Sequence, residues 1–139
     1  MLILNKPIMI IDDIDLSLEL LRAFLCKAGF SNIVAYECPI KALHEIEQGL
    51  HPALIITDYK MPAMNGIQFI EAAFSVCKPV STIIISGDIS SIQASKYNSK
   101  LLEKGMPDFF NTLISMVKSS FTDSKSNDLS ENFKILQKK

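Results

Sequence analysis

The stretch LIITDYKMPAMNG, residues 54–66, carries the strongest structural signal in the sequence. It opens on three aliphatic residues, which lead directly to Thr57 and Asp58 and then to Pro62 and Gly66. A short apolar run followed by polar and turn-forming residues is typical of a buried strand that ends in a loop. The stretch therefore predicts that the Asp58 carboxylate lies where a buried strand ends.

Apolar runs of strand length alternate with helical periodicities along the rest of the chain. The predicted strands are residues 8–11, 33–36, 54–56, 82–85 and 101–102. Side chains spaced three and four residues apart predict the inward faces of four helices. These faces are Leu21, Phe24, Leu25 and Ala28; Ile40, Leu43, Ile46 and Leu50; Ile67, Ile70, Phe74 and Cys77; and Phe110, Leu113, Ile114 and Val117.

The predicted helix ends follow from residues that favour them. Asp15 is expected to cap the first helix, and Gly29 to stop it. Pro39 and Pro107 are expected in the first turns of the second and last helices. A weaker pattern predicts only a short or irregular helix over residues 90–97.

Five strands separated by helices predict an α/β domain with a parallel sheet covered on both faces. Right-handed crossovers limit such a sheet to a few doubly wound topologies. The 139 residues fit one domain, and polar residues dominate 118–132, so we place the domain at residues 1–120 and a polar linker at 121–139. Leu129, Phe133 and Leu136 leave a short amphipathic helix open, although a frayed segment is the simpler interpretation.

Composition and charge exclude several classes of function. The formal net charge of −1 gives no electrostatic reason to expect direct binding of nucleic acid or of an anionic membrane. No run approaches the ~20 apolar residues that cross a bilayer, and residues 1–13 lack a cleavage site for a signal peptide. Three scattered cysteines suit a reducing compartment. We therefore expect a cytoplasmic protein.

Carboxylates follow the first and third predicted strands as Asp12, Asp13 and Asp58. Ligands of open α/β sheets bind outside the carboxyl ends of the strands, so these groups converge if the two strands are neighbours. Oxygen ligands without thiolate or imidazole favour Mg²⁺ or Mn²⁺. A carboxylate can form an aspartyl-phosphate, whose oxygens Ser86 and Lys104 are placed to bind. Taken singly, Asp12 could be a helix cap, Ser86 a turn residue and Lys104 a surface lysine. The prediction therefore rests on their occurrence together at the ends of the predicted strands.

The chain resembles the response-regulator receiver domain over about residues 6–120. Residues 57–66 are similar to the family's most specific motif, in which the aspartate, here Asp58, is phosphorylated. Asp12 and Asp13 resemble its metal-binding pair. The resemblance implies a flavodoxin-like sheet in the order 2-1-3-4-5.

The remaining site residues are also assigned by this resemblance. Ser86-Gly87 resembles the family's hydroxyl-bearing pair, and Lys104 resembles its invariant lysine. Our hypothesis adds a further metal ligand, which is either the Thr57 side of the loop or the backbone carbonyl of Lys60. Lys60 and Asp88 stand at two positions that, by this resemblance, tune the rate at which the phosphoryl group hydrolyses. A Lys60–Asp88 pair that screens water and a solvated surface pair are the two alternatives.

The chain departs from the family beside the lysine. Lys104 is followed by Gly105 where the family usually has proline, and Pro107 comes two residues later. Leu101 stands where an aromatic residue usually reports activation. These departures fall in the part of the fold that normally passes the signal onward, so they put in doubt whether this chain signals through that part. They do not affect the acidic residues.

The resemblance implies a switch rather than an enzyme. Asp58 would take a phosphoryl group from a phosphohistidine on a sensor histidine kinase or histidine phosphotransfer protein. The downstream partner stays open between an unknown protein, a relay component and a second copy of the chain. The alternative function is a degenerate receiver that acts as a phosphorylation-independent adaptor. A haloacid-dehalogenase-type phosphatase is disfavoured, because it needs a second aspartate where this chain has Lys60.

Overall fold

The computed structural model describes residues 6–93 and 97–122. Within these ranges five strands and four helices follow one another along the chain. They are β1 (Ile8–Ile11), α1 (Asp15–Lys27), β2 (Ile33–Tyr36), α2 (Pro39–Glu47), β3 (Leu54–Asp58), α3 (Gly66–Phe74), β4 (Ser81–Ser86), β5 (Lys100–Glu103) and α4 (Phe109–Thr122).

The five strands form one parallel sheet in the order β2-β1-β3-β4-β5. In the register of β1 and β3, Ile11 lies opposite Thr57, and in that of β4 and β5, Ser86 lies opposite Glu103. The order confirms the doubly wound fold that the sequence predicts. It also places the residues that follow β1, β3, β4 and β5 along one edge of the sheet.

Alternate side chains of the strands face two separate core layers, which explains why the strand sequences are almost wholly apolar. Helices α1 and α4 cover one face of the sheet, and α2 and α3 cover the other. On the first face the buried residues include Ile8, Ile10, Leu54, Ile56, Ile83, Leu113 and Val117. On the second they include Met9, Ile11, Ile55, Ile84, Phe69 and Ile70.

The inward faces of two helices were partly mispredicted. On α1, Leu21 and Leu25 are buried as expected, but Leu18 joins them and Phe24 is 36% exposed. On α2, Ile46 is buried, whereas Ile40 is 47% exposed.

The helix starts also differ in part from expectation. Asp15 is the first residue of α1 rather than its cap, because Ile14 holds the cap position and no side chain caps the helix. Pro39 does begin α2. Pro107 lies in a turn before α4, which begins at Phe109.

Two predictions concern the ends of the described ranges. Residues 121 and 122, predicted to begin the polar linker, are the last residues of α4, and Phe121 is buried. Residues 90, 91 and 97 lie in turns, and residues 92 and 93 have irregular backbone, where the sequence predicts a short or irregular helix. Residues 94–96 lie outside the described part. The segment 123–139, with its candidate amphipathic helix, also lies outside it. No helix within the described ranges is long and apolar enough to cross a bilayer.

Candidate functional site

Three carboxylates meet at the carboxyl edge of the sheet. Asp12 and Asp13 follow β1, and Asp58 is the last residue of β3, the strand paired with β1. One oxygen from each lies within 4.8 Å of the other two. The parallel pairing of two buried strands is therefore what brings residues 45 or more positions apart in the sequence into one cluster.

Asp12 and Asp58 are buried, at 3% and 5% exposure, while Asp13 is exposed. Burial raises the pKa of Asp12, and repulsion by the charges of Asp58 and Asp13 adds to this. A hydrogen bond from the backbone N–H of Ile14 and the charge of Lys104 oppose the rise. Such a site favours any cation that offsets its excess negative charge, and its all-oxygen ligand set fits Mg²⁺ or Mn²⁺.

Lys104 reaches into this cluster from the end of β5. Its Nζ lies 2.8 Å from Oδ1 of Asp58. Partial burial lowers the pKa of Lys104, but the hydrogen bond to Asp58 and the carboxylate charges raise it by more. The backbone N–H of Lys104 donates to the carbonyl of Ser86 at 2.8 Å, which ties the lysine to the end of β4. The structure thus brings together Lys104 and the acidic residues, as the sequence predicts.

Ser86 ends β4 and is buried beside the same edge. Its hydroxyl interacts with the backbone of Asp88, accepting from the N–H at 3.3 Å and donating to the carbonyl at 3.4 Å. Both contacts are long, so the hydroxyl can exchange them for a stronger acceptor at small cost. In this structure Ser86 is near the pocket but bonded to the loop that follows it.

The loop from β3 to α3 is held closely against the strand. Gly66 donates its N–H to the carbonyl of Tyr59 at 2.8 Å. A Cβ on Gly66 would lie 2.7 Å from the carbonyl oxygen of Asp58, so only glycine fits there without displacement. Asn65 and Gln68 form a capping box at the start of α3. The sequence analysis missed this box, although an Asn and a Gln three residues apart are its recognised signal.

The Lys60–Asp88 pair, which the sequence left open as one alternative, is not formed. The Asp88 carboxylate instead accepts hydrogen bonds from the backbone N–H and the hydroxyl of Ser90, which lower its pKa. No ion pair joins Lys60 to Asp88 in the described ranges. The short Asx-type turn at Asp88 satisfies the carboxylate locally, whereas a pair with exposed Lys60 would cost side-chain entropy for little gain.

The protein is a doubly wound α/β domain. Its pocket is a cluster of carboxylates that could hold a cation, with a lysine beside the central carboxylate. Residues 8–115 match the response regulator receiver domain family. Over 61 residues the chain is 39% identical to a hybrid signal transduction histidine kinase C of Dictyostelium discoideum, covering 44% of this chain and 5% of that protein. Over 89 residues it is 33% identical to a putative two-component response regulator of Arabidopsis thaliana, covering 62% and 16%.

Solved structures of response regulators are also similar to this chain. A response regulator protein from Thermotoga maritima, in complex with Mg²⁺ and BeF, is 25% identical with a TM-score of 0.71, covering 83% of this chain and 98% of that one. The N-terminal domain of a three-domain response regulator from Carboxydothermus hydrogenoformans has a TM-score of 0.74 at 19% identity, covering 88% and 98%, and shows the fold alone.

The chain belongs to the response regulator receiver domain family, and its function is that of a phosphoacceptor receiver in two-component signalling. The matched segments span less than a fifth of the length of either curated relative. No comparison favours the degenerate adaptor alternative.

Proposed function

We propose that Asp58 is the phosphoacceptor of this receiver domain. What carries the proposal is the contact between the buried Asp58 carboxylate and Lys104, beside two further carboxylates on the neighbouring strand end. Phosphoryl transfer depends mainly on positioning and on charge stabilisation, and this pocket supplies both signs of charge around one nucleophilic oxygen. Asp58 attacks the phosphorus atom in line, and the histidine nitrogen of the donor leaves.

The metal assignment rests on the same cluster. Asp13 and Asp58 would bind Mg²⁺ or Mn²⁺ directly, Asp12 would bind it directly or through water, and the backbone carbonyl of Lys60 would complete the protein ligands. Support comes from the spacing of the carboxylate oxygens and from the Mg²⁺ held by the Thermotoga relative. The ion would offset the negative charge that the phosphoryl group adds to an already acidic site.

Ser86 and Lys104 would then bind the phosphoryl oxygens. For Lys104 this requires only that Nζ moves from the Asp58 carboxylate to a phosphoryl oxygen attached to it. For Ser86 it requires that the hydroxyl leaves the backbone of Asp88, with which it makes only long contacts. The change at Ser86 would alter the loop after β4 and couple phosphorylation to the surface.

The proposed donor is a phosphohistidine on a sensor histidine kinase or histidine phosphotransfer protein. The likeness to a hybrid histidine kinase supports this class of partner. Lys60, two residues after Asp58, offers no carboxylate as a general acid, so we propose a switch rather than a multiple-turnover phosphatase. Its output would be a protein contact, with a second copy of the chain as one candidate and no direct contact to nucleic acid.

The test is intact-mass measurement after incubation with acetyl phosphate. We expect a gain of one phosphoryl group with Mg²⁺ and none with EDTA. Asp58→Ala should abolish the gain, whereas Asp15→Ala, an exposed aspartate in the first turn of α1, should leave it intact. Labelling retained in Asp58→Ala would refute the assignment of Asp58. No labelling of the wild type under any condition would favour the adaptor function.

A further inference from the structure

Residues 104–108 carry the chain from the end of β5 to the start of α4. Two of them have backbone in the left-handed region, Gly105 with a φ of +83° and Asp108 with a φ of +57°. Lys104 and Gly105 form a turn directly at the end of the strand. The chain therefore leaves the strand direction immediately after the lysine that contacts Asp58.

The backbone conformation of Gly105 restricts which residues this position accepts. A Cβ there would meet nothing within 4 Å, so space does not exclude a larger side chain. At a φ of +83°, however, most L-amino acids are strained. β-Branched residues are strained most, whereas asparagine tolerates this region. Proline cannot adopt it, because its ring fixes φ at about −65°. The proline that usually follows this lysine in the family is therefore incompatible with the turn seen here.

On the strand side, the turn begins at a residue held by polar contacts at the edge of the sheet. Ser86 lies opposite Glu103 in the register of β4 and β5, and the backbone N–H of Lys104 donates to the carbonyl of Ser86 at 2.8 Å. The Lys104 side chain, 39% exposed, places Nζ 2.8 Å from the Asp58 carboxylate. An ion pair with one exposed partner is weak, so it resists displacement of the lysine only slightly.

On the helix side, the turn leads into the apolar layer between the sheet and helices α1 and α4. Met106, Phe109 and Phe110 pack against this layer, and Leu113 is fully buried in it. The rings of Phe110 and Phe24 stack with centroids 3.8 Å apart. Burial of several large apolar side chains stabilises this side by more than a partly exposed ion pair stabilises the other. If the turn cannot form, we therefore expect the lysine to be displaced rather than the helix.

We propose that Gly105 is a positioning residue, whose left-handed turn lets α4 pack on the sheet while the Lys104 ammonium stays at Asp58. A residue that cannot hold this turn would leave the helix in place and draw Lys104 away from the carboxylate. A phosphoryl group on Asp58 would then lose a positively charged partner. This last consequence rests on the proposed function, whereas the positioning of Lys104 does not.

Urea unfolding in EDTA tests the positioning without any phosphorylation. Lys104→Met should shift the folding equilibrium of the wild type about fivefold toward the unfolded state, because it leaves Asp58 buried without its partner. In Gly105→Val the same substitution should shift it by less than about twofold, because the contact is already lost.

Gly49→Val is the matched control for backbone strain. Gly49 has a φ of +113° and nothing within 4 Å of a Cβ, but it precedes β3 and so lies at the opposite edge of the sheet. Lys104→Met should keep its full effect of about fivefold in the Gly49→Val protein. The comparison separates the position of the lysine from the general cost of a strained residue.

Labelling by acetyl phosphate with Mg²⁺ tests the consequence for the site. At a temperature at which both proteins are folded, Gly105→Val should be labelled about tenfold more slowly than Gly49→Val, because its lysine is misplaced. Gly105→Asn should stay within about twofold of the wild type, because asparagine tolerates the left-handed region.

Three results would overturn the proposal. Lys104→Met could have the same effect in Gly105→Val as in the wild type, or Gly105→Asn could behave like Gly105→Val. Equal labelling of Gly105→Val and Gly49→Val would show that the turn does not serve the site. If Gly105→Val does not fold, Gly105→Ala compared with Gly49→Ala decides the question in the same way. An unlabelled wild type would count against the proposed function alone, since the unfolding comparison still decides whether Gly105 positions Lys104.

Discussion

The two side chains of the ion pair between Lys104 and Asp58 differ in their exposure to solvent. The lysine side chain is 39% exposed, whereas the aspartate is 5% exposed. Solvent screens the lysine, so the pair contributes much less than a fully buried one. The aspartate cannot rehydrate when its partner is removed, and it still lies beside Asp12. The cost of losing Lys104 therefore comes mainly from the carboxylate that it leaves behind.

We expect Lys104→Met to lower the free energy of unfolding of the metal-free protein by about 1 kcal/mol at neutral pH. Lys100→Met is the matched control, since Lys100 begins the strand that Lys104 follows and forms no ion pair in the described ranges. Its effect should be close to zero. Urea unfolding in EDTA measures both. Equal effects of the two substitutions would mean that the contact with Asp58 does not contribute to stability.

At the scale of elements, close packing between the β3 strand end and α3 positions the central carboxylate. Gly66→Ala places a methyl group 2.7 Å from the backbone oxygen of Asp58 and 3.3 Å from the Cα of Tyr59. Backbone cannot rotate away as a flexible side chain can, so the loop or the start of α3 must move. We expect a loss of about 1–3 kcal/mol in the free energy of unfolding.

Gly87→Ala provides the control for this prediction. Gly87 also lies next to the pocket, but a Cβ there would meet nothing within 4 Å. Its substitution should change stability by less than about 0.5 kcal/mol. Thermal or urea unfolding of the two variants distinguishes steric crowding at Gly66 from a general need for glycine around the pocket. A Gly66→Ala protein as stable as the wild type would contradict the account of the loop.

The elements show what the sequence could and could not predict. The strands were predictable because they are buried on both faces, which makes them continuous apolar runs. The convergence of Asp58 with Asp12 and Asp13 was predicted on the condition that β1 and β3 are neighbours, and only the family resemblance supplied the strand order that meets this condition. Helix α1 has two apolar sides, and periodicity does not say which one meets the sheet, so Phe24 was mispredicted. The local bonds of Asp88 to Ser90 depend on loop geometry that no sequence pattern fixed.

At the scale of the whole molecule, the buried carboxylates of the acidic pocket lower the free energy of unfolding. A bound metal ion can offset this loss. Burial raises the pKa of Asp12 above its ordinary value of 3.8. The folded protein thus keeps the Asp12 proton at pH values where the unfolded chain has lost it. Stability therefore falls as pH rises from the unfolded to the folded pKa. A cation that binds the carboxylate form opposes this fall over the same window.

We expect the free energy of unfolding in EDTA to contain a component that decreases as pH rises above about 4, and that is absent from Asp12→Asn. The asparagine oxygen can still accept the N–H of Ile14, so the local fold is kept. Mg²⁺ at one hundred times its dissociation constant should raise the wild-type value at neutral pH by about 2.7 kcal/mol. Urea unfolding across pH, with EDTA and with Mg²⁺, measures both effects. Parallel pH profiles for wild type and Asp12→Asn in EDTA would show that the burial of Asp12 carries no such cost.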